Sequence, residues 1–382
     1  MNRTLAHILS AVGACTFAGC EREAATPPCA PTPPATDATT TALAQIATRA
    51  KDKYALGALI FTVEQNGKPL YRVALGDSKP GVPATTDMHF RIGGVGWEYV
   101  GMLLLRAVDA GQLSLTDPVS KWYPAYPAAD KTTLEMLALS TCGYGDYIRP
   151  DAFTAKVTAD PLHVWTTDEI LEWSLPPHQT EQFSPPGSDW AYSHTCFVML
   201  GGVLEKATGK PYAQLLREQV LGPLGFSDTR FQLDTVPQEP ALRTLDDGTF
   251  LESTYWNPSF VSYAAMTSNV CELGAWVRAF GEGDLLSAAS KVELDSMKTI
   301  GLGGNTVSRY YGVGSIVFTP WRVAPAAYWG MYTTAGYDPT TGYAVAVTAT
   351  LSPGSADDAS NAANEIVQDV SKLLTPDHPI TY

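Results

Sequence analysis

Acid–base chemistry is the first function that individual residues of this chain indicate. A tyrosine and a histidine stand two positions apart, at Tyr192 and His194. Histidine exchanges its proton near neutral pH and is the side chain most often used as a general acid or base. The alternative is that Tyr192 serves packing and that His194 is a partly exposed polar residue. No spacing of His, Cys, Asp or Glu is typical of a metal site, so we expect neither a metal nor a cofactor.

A nucleophile to accompany these two groups is missing from the sequence. No lysine of the chain has a serine three residues before it, the spacing that puts both side chains on one helix face. No G-x-S-x-G elbow occurs either. Covalent serine chemistry therefore has no recognisable starting point in the chain.

The elements that must position these residues follow an α+β pattern. Residues 56–64 and 70–75 are apolar runs on either side of Asn66-Gly67, which predicts a hairpin. Strands are also predicted at 311–318 and 343–350, and helices at 40–53, 95–110, 133–139, 167–174, 196–208, 212–221, 270–280 and 357–374. Strands at both chain ends predict one antiparallel sheet made from both ends, flanked by helices, with an inserted helical region.

Five segments of this body resemble the serine β-lactamase and D,D-peptidase family, which includes penicillin-binding proteins and related esterases and carboxypeptidases. They are, in order, residues 90–93 (FRIG), 105–123, 134–147 (LEMLALSTCGYGDY), 186–231 and 337–342. Together they extend the resemblance from about residue 43 to 372. The order of the segments makes the resemblance specific, and it implies the fold of that family.

The resemblance implies acyl transfer through a serine ester, with serine at a helix N-terminus and lysine one turn later. Without gaps, Gly94 stands where the serine is expected and Trp97 where the lysine is expected. Glycine has no side chain, and an indole cannot accept a proton at neutral pH. The family's Ser–Lys pair is therefore predicted to be absent, and serine acylation with it.

Two further motifs of the family are changed. Tyr192-Ser193-His194 stands where Tyr-x-Asn is expected, which makes Tyr192 and His194 the remnants of the catalytic machinery. For the Lys-Thr-Gly or His-x-Gly strand, an ungapped count gives residues 324–326 (APA), and a short deletion gives 328–330 (YWG). Neither offers a cation or an imidazole. Asp146 and its neighbour Tyr147 keep the expected loop, where the resemblance gives them a structural duty.

Aromatic residues are predicted to surround the former cleft. By resemblance Trp97, Trp190, Tyr328 and Trp329 map to its walls, and they are the predicted binding residues. Aromatic walls suit sugars, peptides or apolar ligands. The alternative is that these rings plug the cleft.

The N-terminus is typical of an export signal. Arg3 precedes a short apolar stretch at residues 5–18, and small residues lead to Cys20. We predict a lipoprotein signal at 1–19, lipidation of Cys20, a Pro/Ala/Thr-rich tether at 20–41 and a β-lactamase-like domain at 42–382. The alternative is an ordinary secretory signal cut after Ala18 or Gly19. The predicted location is the bacterial cell envelope, with the membrane contacted through the lipid anchor.

Four further cysteines follow Cys20, at Cys29, Cys142, Cys196 and Cys271. An exported protein permits disulfides, but the sequence does not name a pair. Cys196 and Cys271 are expected to be small, buried, apolar residues.

The net charge and the changed motifs are compatible with three hypotheses about function. A net charge of −14 argues against a nucleic-acid partner, since phosphate binding needs clustered Lys and Arg. The first hypothesis is a pseudoenzyme that binds a ligand or partner, such as a peptide derived from the cell wall. The second is a hydrolase or acyltransferase with changed chemistry that uses Tyr192 and His194. The third is a structural lipoprotein with a filled cleft.

Overall fold

The computed structural model describes residues 29–180, 182–231 and 256–382, together with the backbone of 242–244 and 250–252. The predicted signal, Cys20 and the first part of the predicted tether lie outside the described residues. Among the helices that are described, none combines the length and the apolar composition needed to cross a bilayer.

An antiparallel sheet of eight strands dominates the architecture, in the order β3-β2-β1-β13-β12-β11-β10-β9. The first and last strands of the chain, β1 and β13, pair at its centre, so the predicted sheet built from both chain ends is confirmed. The strands are β1 (Ala58–Gln65), β2 (Lys68–Lys79), β3 (Val82–Pro83), β4 (Phe90–Arg91), β5 (Arg230–Phe231), β6 (Leu242–Thr244), β7 (Phe250–Glu252), β8 (Met266–Ser268), β9 (Arg309–Tyr311), β10 (Ile316–Phe318), β11 (Trp321–Tyr328), β12 (Met331–Asp338) and β13 (Tyr343–Thr350).

Helices cover both faces of the sheet. In β1, Phe61 and Val63 are buried in one core cluster with Ile366, whereas Ile60 is buried in the other cluster with Trp276. This alternation follows from the two-residue period of a strand. The helices are α1 (Ala38–Tyr54), α2 (Gly96–Asp109), α3 (Leu134–Ala138), α4 (Asp151–Ala159), α5 (Thr167–Glu172), α6 (His194–Thr208), α7 (Tyr212–Leu216), α8 (Gly222–Leu224), α9 (Val270–Glu282), α10 (Ala288–Leu294) and α11 (Ala362–Leu374).

The turns explain where sequence periodicity succeeded and where it failed. Asn66 and Gly67 both have positive φ angles, of 51° and 74°, as a two-residue hairpin turn requires. The single strand predicted at 311–318 is wrong, because Gly314 has a φ of 74° and turns the chain back between β9 and β10. The hairpin predicted at 337–342 joins β12 to β13.

The four cysteines within the described residues form two disulfides, Cys29–Cys271 and Cys142–Cys196. The expectation that Cys196 and Cys271 are unpaired apolar residues is therefore wrong. Their partners lie 54 and 242 residues away in the sequence, so the pairing depends on tertiary contacts and not on spacing. The even number of cysteines after Cys20 was the available signal.

The end of the predicted tether belongs to the folded body. The backbone N–H of Thr32 donates to the carbonyl of Arg72 at 3.0 Å, and the carbonyl of Cys29 accepts from the Thr86 hydroxyl at 2.5 Å. Asp37 then caps α1, accepting from the N–H of Thr40 at 2.9 Å. The disulfide and these hydrogen bonds therefore hold the described part of the proline-rich stretch against the rest of the fold.

Candidate functional site

A cavity of about 270 Å³ lies between the start of α2, the segment that leads into α6, and strand β11. It is lined by Gly94, Trp97, Trp190, Tyr192, His194, Tyr311, Gly314, Ser315, Ile316, Val323, Ala324, Pro325, Ala326 and Ala327. No lysine or arginine stands among these lining residues. The cavity thus brings together most of the residues that the sequence singled out.

Gly94 sits in a single 3₁₀ turn, Gly93–Val95, that runs directly into α2. A Cβ added to Gly94 would lie 3.6 Å from Trp97 Cδ1 and 3.7 Å from the Pro325 carbonyl oxygen, which are ordinary contacts. Gly94 also lacks the positive φ that would require glycine, whereas Gly93 has a φ of +50°. The backbone would therefore accept a side chain at position 94, and the missing hydroxyl is a property of the sequence alone.

Trp97 lies one turn after Gly94 with only 1% of its surface exposed. Its indole stacks on Phe197, with ring centroids 5.3 Å apart, and meets His194 edge to face at 6.1 Å. The indole thus packs between α2 and α6 where the resemblance places a lysine. The prediction that Trp97 lines the cleft is in accord with this placement.

His194 begins α6 and is hydrogen-bonded to a buried carboxylate. Its Nδ1 lies 3.0 Å from Asp146 Oδ2 and 3.1 Å from Asp146 Oδ1. The backbone N–H of His194 also donates to Oδ1, at 3.3 Å. Asp146 has 3% of its side chain exposed and His194 has 23%. The imidazole is therefore fixed by a carboxylate behind it while part of the ring faces the cavity.

The charge of Asp146 is maintained by its neighbours. Burial alone would raise the pKa of this carboxyl, but His194 and Arg149 outweigh burial and lower the pKa below its ordinary value. Arg149 Nε lies 3.3 Å from Asp146 Oδ2, and 69% of the arginine side chain is exposed. Asp146 is thus an anion at neutral pH, able to orient a neutral or a protonated imidazole.

Covalent and polar links hold the Asp146 loop against the start of α6. The Cys142–Cys196 disulfide joins the two segments. The Thr195 hydroxyl donates to the Gly145 carbonyl at 2.7 Å. The Ser140 hydroxyl accepts from the Ser193 N–H at 2.9 Å. Each link has at least one end within four residues of Asp146 or His194 in the sequence. We infer that the links position the pair.

Tyr192 contacts His194 through its ring and not through a hydrogen bond. The ring centroids are 4.8 Å apart and the planes meet at 77°. Burial and the charge of Asp146 raise the pKa of the Tyr192 hydroxyl, and Trp97 offsets only part of that rise. Tyr192 is therefore poorly suited to accept a proton at neutral pH, and the hydrogen-bond partner of His194 is Asp146.

Strand β11 and the turn that follows it contain the two segments that could correspond to the Lys-Thr-Gly or His-x-Gly strand of the family, residues 324–326 and 328–330. Ala324, Pro325 and Ala326 line the cavity beside Gly94, as the ungapped count predicts. Tyr328 has 2% exposure and stacks on Phe260 at 5.5 Å. The prediction that Tyr328 is a cleft residue is wrong, because the strand carries it past the cavity into the core.

Of the two remaining predicted aromatic residues, one lies in the cavity wall and the other packs against the core outside the cavity. Trp190 lines the cavity and lies 5.5 Å from the ring of Tyr311, a second wall residue that the sequence did not indicate. Trp329 is wrongly predicted, since it packs on Phe260 at 4.6 Å and on Trp256 at 5.6 Å, outside the cavity. The cavity thus has aromatic walls that include Trp97 and Trp190, as the sequence indicated, with Tyr311 in addition and without Tyr328 and Trp329.

Ser315 is the serine among the lining residues, and it stands 4% exposed next to β10. No lysine accompanies it in the lining. Within the described part of the chain, no group of three or more His, Cys, Asp or Glu side chains could hold a metal ion.

The comparison with protein families identifies the family of the chain. The sequence model of the family described as Beta-lactamase matches residues 43–369. The chain belongs to the β-lactamase family. The sheet made from both chain ends and the cleft beside α2 are thus those of a β-lactamase-family protein, and the resemblance inferred from the five sequence segments is confirmed.

Relatives of this β-lactamase-family chain carry several activities. It is 31% identical over 161 residues to the D-alanyl-D-alanine-carboxypeptidase/endopeptidase AmpH of Escherichia coli K12, covering 41% of this chain and 40% of the relative. It is 32% identical over 182 residues to the esterase EstB of Burkholderia gladioli, covering 44% and 45%. The chain thus spans less than half the length of the curated relatives that it matches.

Solved structures extend the similarity over nearly the whole fold. The D-amino acid amidase of Ochrobactrum anthropi SV3, complexed with L-phenylalanine amide, matches with a TM-score of 0.76 at 20% identity, covering 89% of this chain and 99% of that one. The octameric penicillin-binding protein homologue of Pyrococcus abyssi matches with a TM-score of 0.73 at 19% identity, covering 87% and 76%. At this identity, the similarity shows the fold of the β-lactamase-family chain.

Asp146 is the site residue whose role sequence reasoning missed. Its segment, residues 143–147 (GYGDY), matched the family, but the resemblance gave the aspartate a structural duty. A carboxylate that ends a turn rich in glycine, together with a histidine in another matched segment, was the available signal. Only the fold shows that the two side chains meet across 48 residues.

Proposed function

We propose that this chain is an exported, lipid-anchored member of the β-lactamase family that has lost serine acylation and binds a small cell-envelope ligand without forming a serine acyl-enzyme. The single observation that carries the proposal is the start of α2. Position 94 has no side chain, and the next turn presents the buried indole of Trp97. Losing the nucleophile of an acyl-transfer enzyme typically costs about 10⁶-fold in turnover.

The cavity supports ligand binding over a purely structural role. Trp97 occupies part of the former site, yet about 270 Å³ remains beside Gly94. Trp190, Tyr192 and Tyr311 form aromatic walls around it. Such walls offer a large apolar contact area at a small cost in side-chain entropy. If the aromatic side chains served only to fill the cleft, no cavity of this size would be expected beside them.

The lining also narrows the class of ligand. It contains no lysine or arginine, so a free carboxylate has no direct counter-charge there. The names of the relatives include a D-alanyl-D-alanine carboxypeptidase and an esterase, and the amidase structure contains an amino acid amide. We therefore propose a short peptide or amino acid derivative from the cell wall whose carboxyl end is an amide or an ester.

The experiment that tests the proposal combines intact-mass analysis with ligand binding. The purified mature chain is incubated with a penicillin and with an activated ester, and its melting temperature is recorded with D-phenylalanine amide. We expect no mass increase and a concentration-dependent rise in melting temperature. A stable acyl adduct overturns the loss of acylation, and peptide mapping then shows whether Ser315 carries it.

The binding part of the proposal is tested by the cavity itself. Trp190→Ala should reduce the thermal shift, whereas Trp329→Ala should not, because Trp329 is partly buried beside Phe260 and is not among the residues that line the cavity. If a panel of amino acid amides and esters gives no shift with the wild-type chain, the structural hypothesis replaces this one.

The location is tested separately through Cys20. The full-length chain should partition into detergent and incorporate labelled palmitate in a bacterial host, and Cys20→Ser should do neither. Release of a water-soluble wild-type chain into the medium would instead support the ordinary secretory signal.

A further inference from the structure

The orientation of His194 has a chemical consequence beyond binding. A carboxylate can only accept hydrogen bonds, so Nδ1 of His194, 3.0 Å from Asp146 Oδ2, must carry a proton. In the neutral imidazole, the lone pair then belongs to Nε2. None of the described residues forms a hydrogen bond with Nε2, and His194 lines the cavity. The fold therefore presents a proton acceptor to whatever occupies the cleft.

The ring has little freedom to leave this orientation. Asp146 accepts from both the imidazole and the backbone N–H of His194. The rings of Trp97 and Tyr192 meet the imidazole edge to face at 6.1 and 4.8 Å. When the orientation of a base is fixed before the substrate binds, less conformational entropy is lost on reaching the transition state.

The missing serine leaves room at the opposite wall. Gly94 lines the same cavity as His194, and a Cβ at Gly94 would meet nothing closer than 3.6 Å. The space of the family's nucleophile can thus hold a water molecule or a carbonyl group. Gly94 lies at the entrance to the 14-residue helix α2, whose N-terminal end carries partial positive charge and would stabilise a developing oxyanion.

We propose that His194 and Asp146 activate water for direct hydrolysis of small, uncharged carboxylic esters, without a covalent enzyme intermediate. Nε2 of His194 takes a proton from water while the water oxygen bonds to the ester carbonyl carbon. The tetrahedral intermediate collapses as the carbon–alkoxy bond breaks. The proton on Nε2 passes to the leaving oxygen, which gives an alcohol or phenol and a carboxylic acid.

The charges around the pair decide the substrate class. Asp146 is an anion behind the imidazole, and the arginine that faces it, Arg149, is paired with that same carboxylate. The lining adds no further cation. A substrate with a carboxylate of its own would therefore meet no free positive charge in the cleft, whereas a neutral ester meets the aromatic walls of Trp190 and Tyr311.

This inference rests on the proposed function in one respect, because it needs the same open cleft and the same absence of serine acylation. It goes beyond that function by assigning a reaction. His194 is the catalytic residue, and Asp146 is a positioning residue that acts through the imidazole.

The test measures the hydrolysis of two aryl acetates by the disulfide-bonded mature chain. Phenyl acetate is uncharged, whereas 4-acetoxybenzoate carries a carboxylate on the same phenol ring. The products are quantified by chromatography. We expect turnover of phenyl acetate, at least tenfold slower turnover of the carboxylate-bearing ester, and no acyl adduct in quenched samples. His194→Gln should reduce the rate by about 10²-fold or more, the usual contribution of a positioned base.

A matched control excludes adventitious histidine chemistry. His163 is a surface histidine with 36% of its side chain exposed, next to Glu169 and Trp165. His163→Gln should leave the rate unchanged. Asp146→Asn should lower kcat with little change in KM, and it should alter the pH profile, which a merely structural role would not do.

Each outcome decides between the two proposals. Equal rates for wild type and His194→Gln, with His194→Gln folded by circular dichroism, overturn the hydrolytic inference and leave ligand binding standing. An acyl group on His194 in quenched samples overturns direct attack by water. A serine acyl adduct overturns both proposals. If Asp146→Asn does not fold, the comparison of His194→Gln with the wild type and with His163→Gln still decides whether the reaction depends on His194.

Discussion

The pyrrole edge of Trp97 lies 3.6 Å from the place that a Cβ on Gly94 would occupy. Two of the positions at which this chain departs from the catalytic pattern that the resemblance implies are therefore spatial neighbours. Gly94 stands where the resemblance places the serine, and the Trp97 indole lies beside the space that a side chain there would occupy. The site retains space without retaining the groups that formed the ester.

Gly94→Ser should fold as well as the wild type. Its added atoms fit at ordinary distances, and serine is a better helix former than glycine, so we expect the free energy of unfolding to change by less than about 1 kcal/mol. Gly93→Ser is the matched control. Gly93 has a φ of +50° and its Cβ would lie 3.1 Å from Ala326 Cβ, which should cost about 1–2 kcal/mol or more. Urea denaturation of both variants measures the difference, and equal stabilities would contradict the assigned backbone.

Gly94→Ser by itself should not restore acylation. Trp97 cannot accept the hydroxyl proton, and Tyr192 has its pKa raised by burial. Incubation with a fluorescent penicillin should label neither the wild type nor this variant. Labelling of the single variant would show that another group, such as His194, can activate the new hydroxyl.

Trp97→Ala should destabilise the protein strongly. The indole is 1% exposed and stacks on Phe197, and truncating a buried tryptophan typically costs about 3–5 kcal/mol. Trp97→Phe keeps an aromatic ring there and should cost less. Thermal unfolding of the pair checks this expectation. A small loss for Trp97→Ala would mean that the indole is a mobile cover rather than part of the core.

Removing the Cys142–Cys196 disulfide should affect stability and ligand binding together. Cys142→Ala with Cys196→Ala should cost about 2–4 kcal/mol and should weaken binding, because the bond joins the Asp146 loop to the start of α6. The control pair, Cys29→Ala with Cys271→Ala, removes a disulfide of the N-terminal segment. It should lower the melting temperature while leaving the dissociation constant unchanged. Equal effects of the two pairs on binding would contradict the positioning role.

Glu98 should make the protein less stable as the pH rises. Burial raises the pKa of this carboxyl to about 8, although the Trp276 indole N–H donates to it at 2.8 Å. Glutamate in an unfolded chain titrates near about 4.3, so the folded state binds the extra proton between these two pH values. Stability is therefore highest below about pH 4.3 for this group and is lost as the pH rises through about 8.

Glu98→Gln should flatten that dependence. The amide keeps an acceptor for Trp276 and does not ionise, so the decline of the unfolding free energy between about pH 4.3 and about pH 8 should be shallower than in the wild type. Glu172→Gln, at an exposed position of α5, is the control and should follow the wild type. If the unfolding free energy of all three proteins changed with pH in the same way, the Glu98 carboxyl would not be protonated in the folded state at neutral pH.

Asp146 should contribute in the opposite direction. Its pKa is lowered in the folded protein, so its contribution to stability is present above the unfolded value of about 3.9 and is lost as the pH falls through the folded value. Asp146→Asn should therefore destabilise the protein at pH 7, and the difference from wild type should shrink in acid. Denaturant titrations of both proteins at pH 7 and in acid, below the unfolded pKa of about 3.9, test this expectation. If the difference in unfolding free energy between Asp146→Asn and the wild type were the same at both pH values, an electrostatic origin would be excluded.

Local sequence determined the first hairpin, the last strand and most of the helices, together with the identity of each residue at the site. The strands at both chain ends follow from short apolar runs, and Asn66-Gly67 dictates its own turn because both residues adopt positive φ readily. The absence of a hydroxyl at position 94 also follows from identity alone, since glycine has no side chain. These features depend on neighbours within a few residues, which is what a single sequence records.

Tertiary structure decided which side chains work together. His194 meets Asp146 and not Tyr192, Cys142 meets Cys196, and β11 turns Tyr328 into the core while Ala326 faces the cleft. Each of these contacts joins segments that are distant in the chain. Local periodicity carries no information about such distances, because packing of the whole core sets them.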